Sequence, residues 1–309
     1  MKLIALAIGC VLCLSGCATE SPAYRSQRAF ESPDAAVGAL LAAARSDDSD
    51  ELEAIFGDEA DEILSSGDPV MDRGALEVFV VAMDQGWSLE RAARSEKELV
   101  VGAEEWPFPI PLVKDSRGWW FDTEAGEVEV LARRIGRNEL AVIGILRTYA
   151  DAQREYASEG HDGRPAGIYA QRFRSTPGRH DGLYWPEEGP GAPLSPLSEL
   201  AAEAADEGYE SDPTRSGPIP FHGYYFRLLT RQGPDAPGGA AEYVVNGDMT
   251  GGFAAIACPA EYGSSGIMTF IVGPDAVVFE SDLGEETSRI AGEIDAFDPD
   301  DDWNEVDEG

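Results

Sequence analysis

The order of patterns along the 309-residue chain predicts an α+β fold. Three observations carry this. Apolar residues at three- and four-residue spacing run from Ser32 to Asp84. The period then shortens toward two, with prolines and aromatics, from Glu98 to Asp122. One long helical stretch, Glu127 to Ser158, precedes four further strand candidates. The expected architecture is a set of N-terminal helices with a curved antiparallel sheet over 28–126. A long spine helix packed on an antiparallel sheet follows over 127–292, and an acidic tail over 293–309.

Ser32-Pro33-Asp34 starts the first helix. Ser32 or Asp34 can accept from the free N–H groups of the first turn, which proline fits without losing a bond. Ala35, Ala36, Leu40, Leu41 and Ala44 form its apolar stripe. Asp47-Asp48-Ser49-Asp50 interrupts the pattern and caps a second short helix, Glu51 to Phe56. A third runs from Ala75 to Asp84, with Leu76, Phe79, Val80 and Met83 on one side. Glu98 to Gly102 reads as a strand. Phe108 to Lys114 reads as an edge strand because its prolines cannot donate to a ladder, and Gly118 to Asp122 as a closing aromatic strand after the turn Asp115–Gly118. Trp119 and Trp120 point to opposite faces of that strand, one toward the core.

Leu131, Ile135, Val142, Leu146, Tyr149, Gln153 and Tyr156 mark the stripe of the long helix, which ends at Gly160. Arg147, Asp151, Arg154 and Glu155 break it too often for a membrane span. A Gly/Pro-rich region, 160–221, holds one short helix, Pro196 to Asp206. Strand candidates are His222 to Thr230, Gly252 to Cys258, Ile267 to Val272 and Ala276 to Glu280. Asn246-Gly247 signals a two-residue hairpin turn. "DPDDDWNEVDEG" reads as a disordered acidic end.

Residues 1–16 are expected to be a leader: Lys2, then the apolar run Leu3 to Leu14, too short for a bilayer. Leu14-Ser15-Gly16-Cys17 resembles the bacterial lipobox, which implies lipidation of Cys17, with 17–27 as a tether. Asp is absent just after Cys17, which by analogy with bacterial sorting rules implies the outer membrane, facing the periplasm. Loss of residues 1–16 removes only Lys2 among charged residues and takes the net charge from −35 to −36. That charge argues against nucleic acid, whose binding depends on Lys and Arg. It also argues against adsorption to an anionic lipid surface, and is read as a solvated, soluble face. Cys10 and Cys13 leave with the leader and Cys17 carries lipid. Cys258 then stands alone, and no intramolecular disulfide is expected.

The ending "PLVKDSRGWWFDTEAG" resembles the closing hairpin of nuclear-transport-factor-2-like domains, which implies a cone that binds a small ligand or mediates contacts. The helix "VLARRIGRNELAVIGILRTYADAQREYAS" before "GYYFRLLT", "GGFAAIACPAEYGSSGIMTFIVG" and "AVVFESD" is similar to the globular part of type IV pilins and pseudopilins. Their apolar stem is missing, since "TEAGEVEV" is charged, so polymerisation through a stem is not implied. Across the whole chain, "SSGDPVMDR", "WPFPIPLVKD", "RRIGRNELAVI", "YADAQREYAS", "DGLYWP", "HGYYFRLLT", "YVVNGDMTGGFA" and "PAEYGSSGIMTFIV" resemble DUF2950, a family of bacterial envelope proteins. That resemblance implies no reaction.

Downstream of the leader there is no H-E-x-x-H, C-x-x-C, G-x-S-x-G or P-loop pattern. His161-Asp162-Gly163 and His180-Asp181-Gly182 read as turns, not as metal sites or calcium loops, and no metal or other cofactor is expected. Cys258, at the end of an apolar strand, reads as structural, not as a nucleophile with His180 or His222. No catalytic residue is therefore assigned. Tyr184, Trp185, His222, Tyr224, Tyr225 and Tyr262 fall in or beside loops of the second half and are the candidate binding residues. The function expected is a non-enzymatic envelope lipoprotein: an interaction or assembly module with an envelope protein partner. The rival is a hydrolase or small-ligand-binding protein using the N-terminal cone or the His and aromatic loops.

Overall fold

Each early helix starts where a side chain satisfies its free amides. The computed structural model describes residues 27–57, 60–207, 209 and 219–307. Ser32 caps α1 (Pro33–Ser46), its Oγ accepting from Ala35 N at 3.1 Å. Asp48 caps α2 (Ser49–Phe56) by accepting from Glu51 N at 3.0 Å. After α3 (Ala60–Leu64), Asp68 caps α4 (Pro69–Gln85), which starts six residues before the Ala75 expected. Five strands follow: β1 (Trp87–Ala93), β2 (Glu96–Val101), β3 (Trp106–Pro107), β4 (Leu112–Lys114) and β5 (Trp119–Phe121). They form an antiparallel sheet in the order β1-β2-β4-β5, with β3 pairing β2. Strand β1 has no signature in the sequence because neither of its faces is buried, so its residues do not alternate. Both Trp119 and Trp120 are buried.

The spine helix α5 (Thr123–Ser158) begins four residues before the expected start because Asp122 caps it, accepting from Ala125 N at 3.3 Å. Its 36 residues extend about 54 Å. It serves two cores. Gly126 lies so close to Ile110 that a Cβ there would meet it at 2.7 Å. The buried line then runs through Arg134 and Asn138 before it becomes Val142, Leu146, Tyr149, Gln153 and Tyr156. Leu131 and Ile135, expected on that line, are only half-buried.

After α6 (Ser198–Asp206), the second sheet is built from β6 (Tyr224–Leu229), β11 (Ala254–Pro259), β12 (Met268–Val272), β13 (Val278–Asp282) and β14 (Asn304–Glu305). It is antiparallel in the order β14-β13-β12-β11-β6. Two ribbons flank it: β7 (Arg231–Gln232) with β8 (Ala241–Glu242), and β9 (Val244–Val245) with β10 (Asp248–Met249). The β9–β10 turn is Asn246-Gly247, both with positive φ as a tight hairpin requires. The C-terminal half of α5 lies on β11–β13. There Gln153, fully buried, exchanges two 2.9 Å hydrogen bonds with the backbone of Ala170. Helix α7 (Thr287–Glu293) packs near β11.

The tail corrects one expectation. Residues 293–307 are ordered, not disordered. Phe297 is 4% exposed and bridges Gln232, the Asp298 carboxylate accepts from Asp235 N at 2.8 Å, and β14 pairs β13. Phe297, Trp303 and Val306 are apolar anchors spaced through the acidic run, and they outweigh its charge. Among the described residues, no helix is long and apolar enough to cross a membrane.

Candidate functional site

The first core does not close. Between α4, the first sheet and α5 lies an open apolar cavity of about 1130 Å³. Its floor is Leu40, Phe56, Phe108 and Ile110; Leu76 and Phe79 of α4 form a wall, with the Phe79 and Phe108 rings 5.4 Å apart. Helix α4 is apolar, yet of its 17 residues only Met83 is fully buried. Val78 and Val81 are 70% and 59% exposed at the rim, beside Trp106. An amphipathic helix normally presses its apolar stripe into the core. Here Leu76, Phe79 and Ala82 reach the core only in part, and Val78 and Val81 stay exposed beside the cavity.

One stripe of α5 lines the cavity: Val130, Arg133, Arg134, Arg137 and Asn138, recurring at three- and four-residue steps. Arg133 is held by Glu129 at 2.6 Å and by the Pro107 carbonyl at 3.0 Å, with its guanidinium 5.1 Å from the Trp106 ring centre. Arg134 is buried and donates to the carbonyls of Glu62, Ile63 and Ser65 and to Ser264 Oγ. Burial holds its pKa below the ordinary arginine value, partly offset by Asp72. Asn138 is buried; its Nδ2 donates to Ser265 O at 2.9 Å, and its Oδ1 has no partner among the described residues.

The polar end of the cavity adjoins a seam between the two cores. Asp68 is fully buried and accepts from Tyr209 Oη at 2.6 Å and Gly223 N at 3.1 Å, besides capping α4. Burial, reinforced by Asp68, pushes the Tyr209 phenol pKa upward. His222 and Gly223, both at positive φ, make the tight turn that presents the Gly223 amide. A Cβ at Gly223 would meet Asn138 Nδ2 at 2.8 Å, so only glycine fits there. Glu139 accepts from Ile267 N and Met268 N, both at 2.9 Å. The segments "SSGDPVMDR", "RRIGRNELAVI", "HGYYFRLLT" and "PAEYGSSGIMTFIV", far apart in sequence, thus meet here.

The six aromatic candidates do not form one surface. Trp185 and Tyr224 are buried. Trp185 stacks on His180 at 4.2 Å, and Tyr156 stacks on His161 at 4.1 Å. Tyr184 lies under Arg174. His222 sits 3.3 Å from Glu207 at the seam, and Tyr224 reaches the Met268 carbonyl. Tyr225 is half-buried on β6 opposite Cys258, and Tyr262 donates to Asp282 at 3.0 Å. The two His-Asp-Gly loops pack together, with Asp162 accepting from His180 N and Asp181 from Thr176 N. Among the described residues no three His, Cys, Asp or Glu side chains gather as a metal-holding group. Burial raises the Cys258 thiol pKa, and its register partner is Tyr225, not a histidine. Cys17 lies outside the described residues.

Arg133, Arg137, Asn138, Asp68 and Tyr209 were not singled out by sequence reasoning. For Arg133, Arg137 and Asn138 the signal is a polar stripe in register with the apolar stripe of α5; Asp68 and Tyr209 lie off that helix, and no such pattern marks them. No curated protein and no solved structure matches the chain. One family model matches residues 27–306, nearly the full length, and the chain therefore belongs to the family described as Protein of unknown function (DUF2950).

Proposed function

We propose that the protein is an envelope lipoprotein, tethered through Cys17 to the outer membrane and facing the periplasm, that binds a small apolar ligand in its N-terminal cavity without transforming it. The observation that carries this is the open cavity: an apolar void of about 1130 Å³ beside α4, with Val78 and Val81 exposed at its rim. Ligand pockets usually occupy roughly 300–1,000 Å³ with apolar walls and a few polar groups. Binding without chemistry is supported by the raised thiol pKa of Cys258 and by histidines engaged with rings and carboxylates.

Two measurements test it. Native mass spectrometry and solvent extraction of the mature chain should recover a bound apolar molecule. A solvatochromic apolar dye should bind the mature chain and lose most of its signal in Leu76→Trp, which fills the cone while the melting temperature holds. Equal dye binding by both proteins would sink the cavity reading. For the anchor, Cys17→Ala should shift the protein from the membrane to the soluble envelope fraction; no shift would remove the tether. A protein partner is the second reading, favoured by the exposed Val78, Val81, Trp87 and Trp106. Crosslinking from intact envelopes with wild type and Val78→Asp would expose it as a band lost in the variant.

A further inference from the structure

We infer that the ligand of this cavity is an amphipathic anion: an apolar body in the cone, an acidic group on Arg137, and a hydrogen-bond donor beside that acid for Asn138. The inference rests on the cavity reading above and adds the headgroup chemistry.

The charged side chains around the cavity decide the sign. Arg133 is taken by Glu129, and Arg134 by three carbonyls and Ser264. The Asp72 carboxylate accepts from Ser66 N and Ser66 Oγ, and Glu207 faces His222 at 3.3 Å. Glu77, Glu104 and Asp206 stand exposed at the rim, where water solvates them. Arg137 lines the cavity with no ion pair or hydrogen bond among the described residues, in a chain of net charge −35. A cation is scarce in so acidic a protein, and an excess of acid nearby would normally recruit it. Arg137 instead lies one turn beyond Arg133, beside the charge of Arg134. Of the three guanidinium groups on this stripe, Arg137 is the one whose donors have no acceptor among the described residues, an arrangement a carboxylate or phosphate fills.

The second, independent observation is Asn138. It lines the same cavity, is 1% exposed, and its Oδ1 has no hydrogen-bond partner among the described residues. A buried acceptor left unmatched is costly. A hydroxyl or amide N–H on the ligand, close to its acidic group, would satisfy it.

The test uses the full mature chain and three probes with the same C12 tail, each below its micellar concentration. N-dodecanoylglycine carries an anion beside an amide N–H. Its methyl ester keeps the N–H and loses the charge. Dodecyltrimethylammonium reverses the charge. Isothermal titration should rank the acid first, about tenfold tighter than the ester, with the ammonium weakest. Arg137→Gln should bring the acid down to the affinity of the ester, and Arg137→Lys should restore most of the gap. Arg137 is exposed, so neither variant threatens folding. Equal binding of acid and ester, tighter binding of the ammonium, or an acid affinity unchanged in Arg137→Gln overturns the headgroup inference while leaving the cavity reading intact. Binding of none of the three overturns the cavity reading itself.

Discussion

At the scale of single residues, the chain concentrates its risk in Asp68. This carboxylate is fully buried and serves four donors: the amides of Val70, Met71 and Gly223 and the hydroxyl of Tyr209. Removing it takes away a helix cap, worth about 1 kcal/mol, and strands buried donors at about 1–3 kcal/mol. Asp68→Ala should therefore cost about 2–4 kcal/mol in urea unfolding, combining those terms. Tyr209→Phe, which removes one of the four donors, should cost about 1 kcal/mol. A change below about 0.5 kcal/mol in Asp68→Ala, the size of an ordinary surface substitution, would mean that the seam does not hold the two cores together. Ser32 was legible as one of two cap candidates because that role is local. The cap of Asp68 is equally local, but its bonds to Tyr209 and Gly223, 141 and 155 residues away, leave no trace in the local pattern.

At the scale of elements, α5 explains both what sequence reasoning found and what it missed. Hydrophobic periodicity locates Val142, Leu146, Tyr149 and Tyr156, because an apolar sheet face selects apolar residues. It misses the buried line through Arg134 and Asn138, because carbonyl oxygens from α3 and the 264–265 loop select polar partners there. Close approach is tested at Gly126, where a Cβ would meet Ile110 Cα and Cγ1 at 2.7 Å. Gly126→Ala should push α5 off the first core. The expected cost is about 1–3 kcal/mol from overpacking, although alanine is the better helix former. A gain in melting temperature would show that the helix start has room. Helix α4 behaves oppositely. Its exposed Val78 and Val81 touch little protein, so Val81→Ser should leave stability within about 0.5 kcal/mol. The same change should weaken dye binding at the rim.

At the scale of the whole molecule, one helix shared by two cores predicts cooperative behaviour. Far-UV circular dichroism and tryptophan fluorescence should give one coincident unfolding transition, with Trp119 and Trp120 reporting the first core and Trp185 the second. Truncation after Asp295 should lower the melting temperature, because it removes Phe297 and strand β14. A truly disordered tail would leave it unchanged. The pH profile should fall on the alkaline side. Burial raises the phenol pKa of Tyr149, Tyr209, Tyr224 and Tyr243 in the folded state above the ordinary value of 10.0. Groups raised on folding favour the native state fully below the unfolded pKa. That contribution is lost as pH climbs above about 10, where the unfolded chain sheds phenolic protons first. Thermal melts from pH 8 to 11 should show stability declining from about pH 10. Constant stability across that range would contradict the burial of these rings.

Local pattern was enough for the α+β class, the order of helices and sheets, a first cap at Ser32 or Asp34, a second within 47–50, the Asn246-Gly247 turn and the family. These depend on local periodicity, on side chains bonding their own turns, and on patterns that extend along the chain. Tertiary structure alone decided that the acidic end is pinned by Phe297, that the six candidate aromatics are scattered, and which residues line the apolar cavity beside α4, which the sequence suggested only through a resemblance to cone-shaped domains. A cavity is a failure of distant elements to meet, and no local pattern records the space between them. The buried polar line of α5 has the same origin: its residues answer to carbonyls brought from elsewhere in the chain, not to the helix that carries them.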